Sequence, residues 1–271
     1  MMPVPSRGTR DSAVRTALTG ACVVALGVCA ALPIRPEARA RTAIVAVAVA
    51  VLVAGAFVLR SPAAIRAAVF IGPLFGCFAV GILGGWPPAV TTILVCVLPL
   101  AGLLLAGRHA TLRPAAPWLA RGSLTPEAPW LGLGTVLLSA AALSAWALAV
   151  RPEPAEYLRE LRSVPLWGAI LGIVAFAAIN PVWEEMLFRG VLLTELAAVW
   201  GARVALVLQA GLFGAAHFAG FPSGVVGMVM AATWGFVLGV MRLRSGGILL
   251  PYLVHVTANA TIGTLAVLIL R

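Results

Sequence analysis

The sequence predicts an all-α, polytopic membrane protein, a bundle of about eight or nine transmembrane helices. Of its 271 residues, 62% are hydrophobic and only 10% are charged, whereas a soluble domain carries about 25% charged residues. A membrane-spanning helix needs about 20 apolar residues, and runs of about that length follow one another along most of the chain. The arginines are concentrated in short gaps between these runs, as the connections of a membrane bundle predict.

The apolar runs give the order of the predicted helices. The sixth run is long for one helix and contains Pro181, so it is either one long helix or two segments broken near Asn180–Pro181. The runs cover residues 16–34, 42–59, 67–85, 89–107, 130–150, 165–199, 203–219, 223–241 and 247–269.

The membrane topology explains the formal net charge of +10. Arginine-rich gaps alternate with gaps that are uncharged or, like the predicted outer loop 151–163, neutral in sum. The positive-inside rule then places the N-terminus inside, although the gap at 35–41 goes against the pattern. We therefore expect an integral, multi-pass protein of a bacterial plasma membrane, in contact with membrane lipid. Because topology explains the basic residues, we expect no nucleic-acid partner.

The polar residues divide the chain into three parts. Residues 1–107 are predicted to form an N-terminal four-helix transmembrane extension with no ionisable group inside its spans. Residues 108–129, rich in proline, are predicted to be an inner linker, and residues 130–271 the functional core. Tryptophans near the run ends fit the membrane interface, and they include Trp86, Trp118, Trp130, Trp167 and Trp200.

Three polar clusters lie in the core, "EEMLFR" at 184–189, "FGAAH" at 213–217 and "HVTAN" at 255–259. Ionisable residues inside a membrane are costly and mark functional sites by default. On a helix, Glu185 and Arg189 are four residues apart and can form an ion pair. Glu184 is rotated by about 100° from Glu185, so this second carboxylate is left free to act as a base.

Counting residues from the turn at Trp200–Gly201 places Glu184 and His217 at equal depth, about 24 Å away at 1.5 Å per residue. Counting from Gly246, on the same side, leaves His255 about 10 Å short of Glu184, unless the last helix is tilted or begins deeper, at Pro251.

A carboxylate, two imidazoles and a carboxamide suit the activation of water. Glu184 would accept the proton, while His217, His255 and Asn259 would stabilise an oxyanion or hold a metal-bound water. The sequence has no GxSxG or HExxH motif and no cysteine near these histidines. A zinc ion held by the glutamate and the two histidines is an alternative, but Glu184 cannot easily be both ligand and base. No cofactor is certain.

The ordered motifs EExxxR, FxxxH and HxxxN resemble the CPBP family of intramembrane proteases, which comprises CAAX proteases and bacteriocin-processing enzymes and is also called the Abi family. The resemblance covers about residues 125–270. It implies an endopeptidase that hydrolyses a peptide bond of a membrane-associated protein or peptide, in CAAX-type or bacteriocin-related processing. It also implies Glu184 as general base, a site completed by His217, His255 and Asn259, and support from Glu185, Arg189 and Phe213.

Several alternatives stay open at this point. Family members are described both as metalloproteases and as glutamate-dependent proteases without an essential metal, and we favour the second because the motif leaves a glutamate free. A transporter could use the same buried polar cluster as a relay, although residues 1–107 hold no matching polar set. A non-catalytic immunity or scaffold protein is a third reading. The substrate and the oligomeric state do not follow from the sequence.

Overall fold

The computed structural model describes residues 7–114, 118–123, 126–150, 164–220 and 223–270, and the predicted outer loop 151–163 lies outside them. The described residues form nine α-helices and no β-strand, so the all-α prediction is confirmed. The helices are α1 (Arg7–Ala31), α2 (Arg39–Val58), α3 (Pro62–Leu83), α4 (Pro88–Ala106), α5 (Ala128–Val150), α6 (Leu166–Trp200), α7 (Ala202–Ala216), α8 (Gly224–Ser245) and α9 (Leu249–Leu270).

Seven of these described helices, α1 to α6 and α8, are long and apolar enough to cross a membrane. Helix α7 is apolar but has only 15 residues, fewer than the about 20 that a full crossing requires. Large apolar side chains such as Val58 and Leu148 point outward and are exposed. In lipid, exposed apolar side chains are favourable because their surroundings are apolar as well. Each helix also satisfies its own backbone hydrogen bonds there. The chain is therefore an integral, multi-pass membrane protein.

Helix α6 is one continuous helix of 35 residues rather than two broken segments. Pro181 is accommodated inside it, and the irregularity comes later, where Met186–Leu192 form a π-helical turn. π-Helical turns often occur at functional sites. The helix ends at Gly201, whose φ of +83° favours glycine, and α7 begins at Ala202. The predicted turn at Trp200–Gly201 is thus present.

The N-terminal helices pack directly on α6. The largest core cluster joins Leu26 of α1 and Ile71 of α3 with Phe188 and Leu192 of the π-helical turn and Phe213 of α7. Close packing of buried apolar side chains fixes neighbouring helices against each other. Residues 1–107 therefore help to position the helix that carries the glutamates, and their division into a separate extension stays a prediction.

One sequence expectation about these helices is wrong. Arg66 lies inside α3 and is buried, so the first four spans do contain an ionisable group. Its guanidinium forms a bidentate ion pair with Glu195 of α6, with Nε donating to Oε1 at 2.8 Å and Nη2 donating to Oε2. Trp118, expected at the interface, is only 6% exposed and donates from Nε1 to the same carboxylate at 3.1 Å.

The predicted linker is held in place at its C-terminal part. The Ile248 amide donates to the Ala120 carbonyl and the Ser123 amide donates to the Ser245 carbonyl, each at 2.8 Å. A Cβ added at Gly247 would lie 2.1 Å from backbone atoms of residues 121 and 122. Glycine is required there because the two backbones touch, and the segment fixes the turn between α8 and α9.

We expect Arg66→Met to lower the free energy of unfolding by about 3–5 kcal/mol, because it leaves Glu195 as an uncompensated buried charge. The double variant Arg66→Met/Glu195→Leu should recover most of this loss, since an apolar pair needs no charge compensation. Thermal unfolding in detergent measures both effects, with the exposed Arg108→Met as the control. A single variant as stable as the wild type would contradict this role of the pair.

Candidate active site

Two adjacent carboxylates lie at the end of the α-helical part of α6. Glu184 and Glu185 are 6% and 1% exposed, and a buried carboxylate requires compensating partners. For Glu184 one partner is Asn180, one turn earlier, whose Nδ2 donates to Glu184 Oε1 at 2.7 Å. The Asn180 amide is itself oriented, since its Oδ1 accepts a hydrogen bond from Trp183 Nε1 at 3.2 Å.

The predicted ion pair between Glu185 and Arg189 is present. Arg189 is fully buried, and its Nη1 donates to Glu185 Oε1 at 2.8 Å. The guanidinium carbon also lies 4.4 Å from the centroid of the Phe213 ring, a distance at which a cation is attracted to the ring face. Nη2 donates to the Gly235 carbonyl of α8 at 3.4 Å. Arg189 therefore ties α6, α7 and α8 together around Glu185.

His255 bridges the two glutamates. Its Nδ1 lies 2.7 Å from Glu185 Oε1, and its Nε2 lies 3.5 Å from Glu184 Oε2. Because Glu185 Oε1 also accepts from Arg189, it acts as an acceptor, so we assign the Nδ1 proton of His255 to this bond. The arrangement matches the use of a carboxylate to fix the tautomer and direction of a catalytic imidazole.

The residue count predicted that His255 would not lie deep enough to reach Glu184, but the structure brings the two side chains together. Helix α9 begins at Leu249, and Pro251 lies within its first turn. His255 lies within reach of both glutamates. Counting residues from a turn was wrong here because the count leaves out the tilt and the offset that packing gives each helix.

His217 sits at the C-terminal end of α7, where its backbone leaves helical geometry. Its Nδ1 lies 2.8 Å from the Phe213 carbonyl oxygen. Since a carbonyl can only accept, Nδ1 donates in this bond, and the other ring nitrogen stays available. The Phe213 ring lies between the histidines, with centroids 4.3 Å from His217 and 6.0 Å from His255. Among the described residues, no hydrogen bond or ion pair joins His217 to Glu184.

Asn259 lies one turn after His255 on the same face of α9. The side chain is 4% exposed, and its Nδ2 donor has no hydrogen-bond partner among the described residues. Buried polar groups without a partner are rare in folded proteins, and each one requires an explanation. A donor held ready for a ligand is such an explanation.

A cavity of about 520 Å³ gives access to these groups. Its wall is mostly apolar and is formed by α5, α7, α8 and α9, with residues such as Leu138, Leu143 and Trp234. His217, His255 and Asn259 all line it, together with Phe213. Glu184 is not among the described residues that line the cavity, and it approaches them through His255, whose Nε2 lies 3.5 Å from Glu184 Oε2. Four of the predicted site residues, the two histidines, Asn259 and Phe213, are thus gathered around one cavity that suits an apolar ligand.

The zinc alternative would require Glu184, His217 and His255 to lie together around one ion. A catalytic zinc needs three protein ligands, and no group of three histidine, cysteine or acidic side chains in the described part of the chain is arranged to hold a metal ion. His255 Nδ1 is engaged by Glu185, and His217 Nδ1 by a backbone carbonyl, so each ring keeps its Nε2 available. Metal-binding histidines commonly hold their other ring nitrogen in this way, and a metal-independent mechanism stays a prediction.

Sequence reasoning missed two supporting residues. Asn180 contacts Glu184 and stands four residues before it, so helical spacing could have identified it. Gln209 of α7 is fully buried and donates from Nε2 to the Gly235 carbonyl at 2.9 Å, the same oxygen that Arg189 reaches. No sequence signal marks Gln209, because its role arises only where α7 and α8 cross.

Comparison with known proteins finds a match for the part of the chain that carries this site. Residues 165–261 match the family model "Type II CAAX prenyl endopeptidase Rce1-like". These residues form an Rce1-like domain. The domain runs from the start of α6 into α9 and contains all three motifs, so the resemblance predicted from them is confirmed over this segment.

The chain is also similar to an Escherichia coli protein described as "Uncharacterized 24.3 kDa protein". The two are 32% identical over 124 residues, which make up 44% of this chain and 54% of the relative. The chain thus spans about half the length of this curated relative. No solved structure gives a significant match.

We expect Arg189→Gln to lower the free energy of unfolding by about 3–5 kcal/mol, because it leaves Glu185 buried without its cation. Glu184→Gln should cost much less, since a glutamine can still pair with Asn180 through its carbonyl oxygen. Thermal unfolding in detergent compares the two variants, with the exposed Arg203→Gln of α7 as the control. Equal losses for Arg189→Gln and Glu184→Gln would refute the distinction between the two glutamates.

Proposed function

We propose that the protein is an intramembrane endopeptidase that hydrolyses a peptide bond of a membrane-associated protein or peptide. The supporting observation is the arrangement at the cavity wall. The Glu184–His255 pair lies beside the unpaired Asn259 donor, at an apolar cavity inside an Rce1-like domain. The family model describes prenyl endopeptidases, and peptide-bond hydrolysis is the chemistry for which this set of groups is suited.

In the proposed first step Glu184 acts as the general base. Its Oε2 is buried and has no hydrogen-bond partner among the described residues, apart from the 3.5 Å approach of His255 Nε2. A water held by Glu184 would transfer a proton to the carboxylate while its oxygen attacks the scissile carbonyl. Glu185 and Arg189 act indirectly, as positioning residues, because they fix the ring of His255.

In the second step the tetrahedral intermediate carries a negative oxygen. Asn259 Nδ2 and a ring nitrogen of His217 are the groups proposed to stabilise it, since both side chains line the cavity. Collapse of the intermediate breaks the C–N bond, and the proton taken up by Glu184 passes to the departing amine. Atoms and charge balance without a further reactant.

The cavity also supports a substrate class. Its predominantly apolar wall between α5 and α8 suits a hydrophobic segment or a lipid-modified end of a membrane-associated substrate. CAAX-type processing and bacteriocin-related processing both supply such substrates. We place the protein in a bacterial plasma membrane with its N-terminus inside, on the distribution of arginines between the helices.

We expect Glu184→Ala to abolish cleavage of apolar peptides by the purified, detergent-solubilised protein, because no general base then deprotonates the attacking water. The matched control is Glu127→Gln, which changes an exposed glutamate at the start of α5. Mass spectrometry of a peptide library measures the products. Cleavage of equal rate by the wild type and Glu184→Ala would refute the proposed function. Activity is expected to survive a metal chelator, and a loss that zinc restores would refute metal independence.

Asn259→Leu should lower kcat about 100-fold or more, the scale seen when one donor to an oxyanion is removed. Thermal stability should change little, since the Asn259 amide donor makes no hydrogen bond within the described structure that a leucine would lose. Steady-state cleavage and thermal unfolding are measured on the same preparation, with Thr264→Val on the exposed face of α9 as the control. Unchanged kcat in Asn259→Leu would remove this residue from the site.

A further inference from the structure

A second cavity, here called the basic crevice, lies far from the proposed active site. It encloses about 500 Å³ and is lined by the start of α1, the turn between α2 and α3, and the end of α6. Its α6 wall includes Ala198, 14 residues beyond Glu184 and therefore about 21 Å along the helix. Unlike the apolar cavity, the basic crevice is lined by arginines and hydroxyl groups, so it suits a different kind of ligand.

Three arginines, Arg15, Arg60 and Arg66, line the basic crevice. Arg66 is paired with Glu195, and no acidic side chain is among the described residues that line the crevice. Arg15 is held across the crevice, because its Nη2 donates to the Leu59 carbonyl at 2.9 Å and to the Arg60 carbonyl at 3.5 Å. The described lining is thus basic and carries guanidinium donors.

Buried hydroxyl groups complete the lining. Ser61 and Thr19 are 7% and 6% exposed, and no side-chain hydrogen bond is found for either of them within the described residues. Ser61 precedes the first turn of α3 without capping it. Neither hydroxyl oxygen is among the fully buried, unpaired atoms of the described residues, so both are open to the crevice and can donate to a ligand that accepts hydrogen bonds.

The backbone at Arg60 is also unusual. Among the described residues, Arg60 is the only non-glycine residue with a positive φ, which is +50°. This left-handed conformation is unfavourable for a residue with a side chain, and such strained positions concentrate at ligand-binding sites. The strained residue is an exposed arginine that lines the basic crevice.

We propose that the basic crevice binds a phosphate-bearing anion. Arginine guanidinium groups and hydroxyls are the donors that recognise phosphate oxygens. Basic sites between transmembrane helices bind the headgroups of anionic lipids. The apolar residues Val14 and Leu18 of α1 are exposed beside the crevice, where they can contact acyl chains. The ligand is thus either an anionic lipid headgroup or free phosphate, and the shared chemistry is independent of the proposed catalytic function.

The test measures ligand binding to the full chain in detergent. Fluorescent phosphatidylglycerol is titrated by anisotropy, with phosphatidylcholine as the zwitterionic comparison and inorganic phosphate as competitor. Arg60→Asn removes one charge, and asparagine adopts a positive φ more readily than arginine, so the variant should fold as well as the wild type. Ser61→Ala removes a hydroxyl that makes no cap hydrogen bond. Arg35→Gln, an exposed arginine beyond the other end of α1, is the control.

We expect Arg60→Asn to weaken phosphatidylglycerol binding about tenfold, the effect of losing one charge-assisted hydrogen bond. Ser61→Ala should weaken it by a smaller factor, and Arg35→Gln should leave it unchanged. If inorganic phosphate binds with the same dependence on these variants while phosphatidylglycerol does not, the ligand is free phosphate. Equal binding by the wild type and Arg60→Asn, or no binding of either ligand, would overturn the proposal.

Discussion

The burial of two adjacent glutamates in a membrane helix is the constraint on which the site depends. Each carboxylate needs a compensating partner, because an ionised group in a low-dielectric interior is costly. Arg189 supplies the cation for Glu185, and Asn180 supplies a donor to Glu184. His255 approaches both carboxylates and thereby fixes α9 against α6. The polar network therefore determines how three or more helices meet.

The two glutamates differ in their surroundings, and that difference supports a different role for each of them. Glu185 is enclosed by a cation, an imidazole and the adjoining core, which suits a fixed structural carboxylate. Each glutamate keeps its Oε2 without a hydrogen bond among the described residues, but Glu184 has an asparagine instead of an arginine as its partner and approaches the cavity through His255. Proteolysis in a membrane requires such a partly satisfied group, since water must be held and deprotonated away from bulk solvent.

The N-terminal helices contact the helix that carries the proposed base. Arg66 of α3 and Trp118 of the following segment both bind Glu195, in the same helix as the proposed base. Arg66 also lines the basic crevice. The basic crevice lies at the C-terminal end of α6, and the glutamates lie near its middle. The Rce1-like domain at 165–261 is packed against residues that its family model does not include.

The sequence by itself determined the helical membrane class, the three polar motifs and the Glu185–Arg189 pair. These follow from hydropathy and from helical spacing, which are local properties. Only the tertiary structure decided which residues of different helices come into contact. The contact of His255 with both glutamates depends on where α9 begins, and the Arg66–Glu195 pair joins residues 129 positions apart. Equal spacing from a turn could not predict either, because depth and rotation of each helix are set by packing against its neighbours.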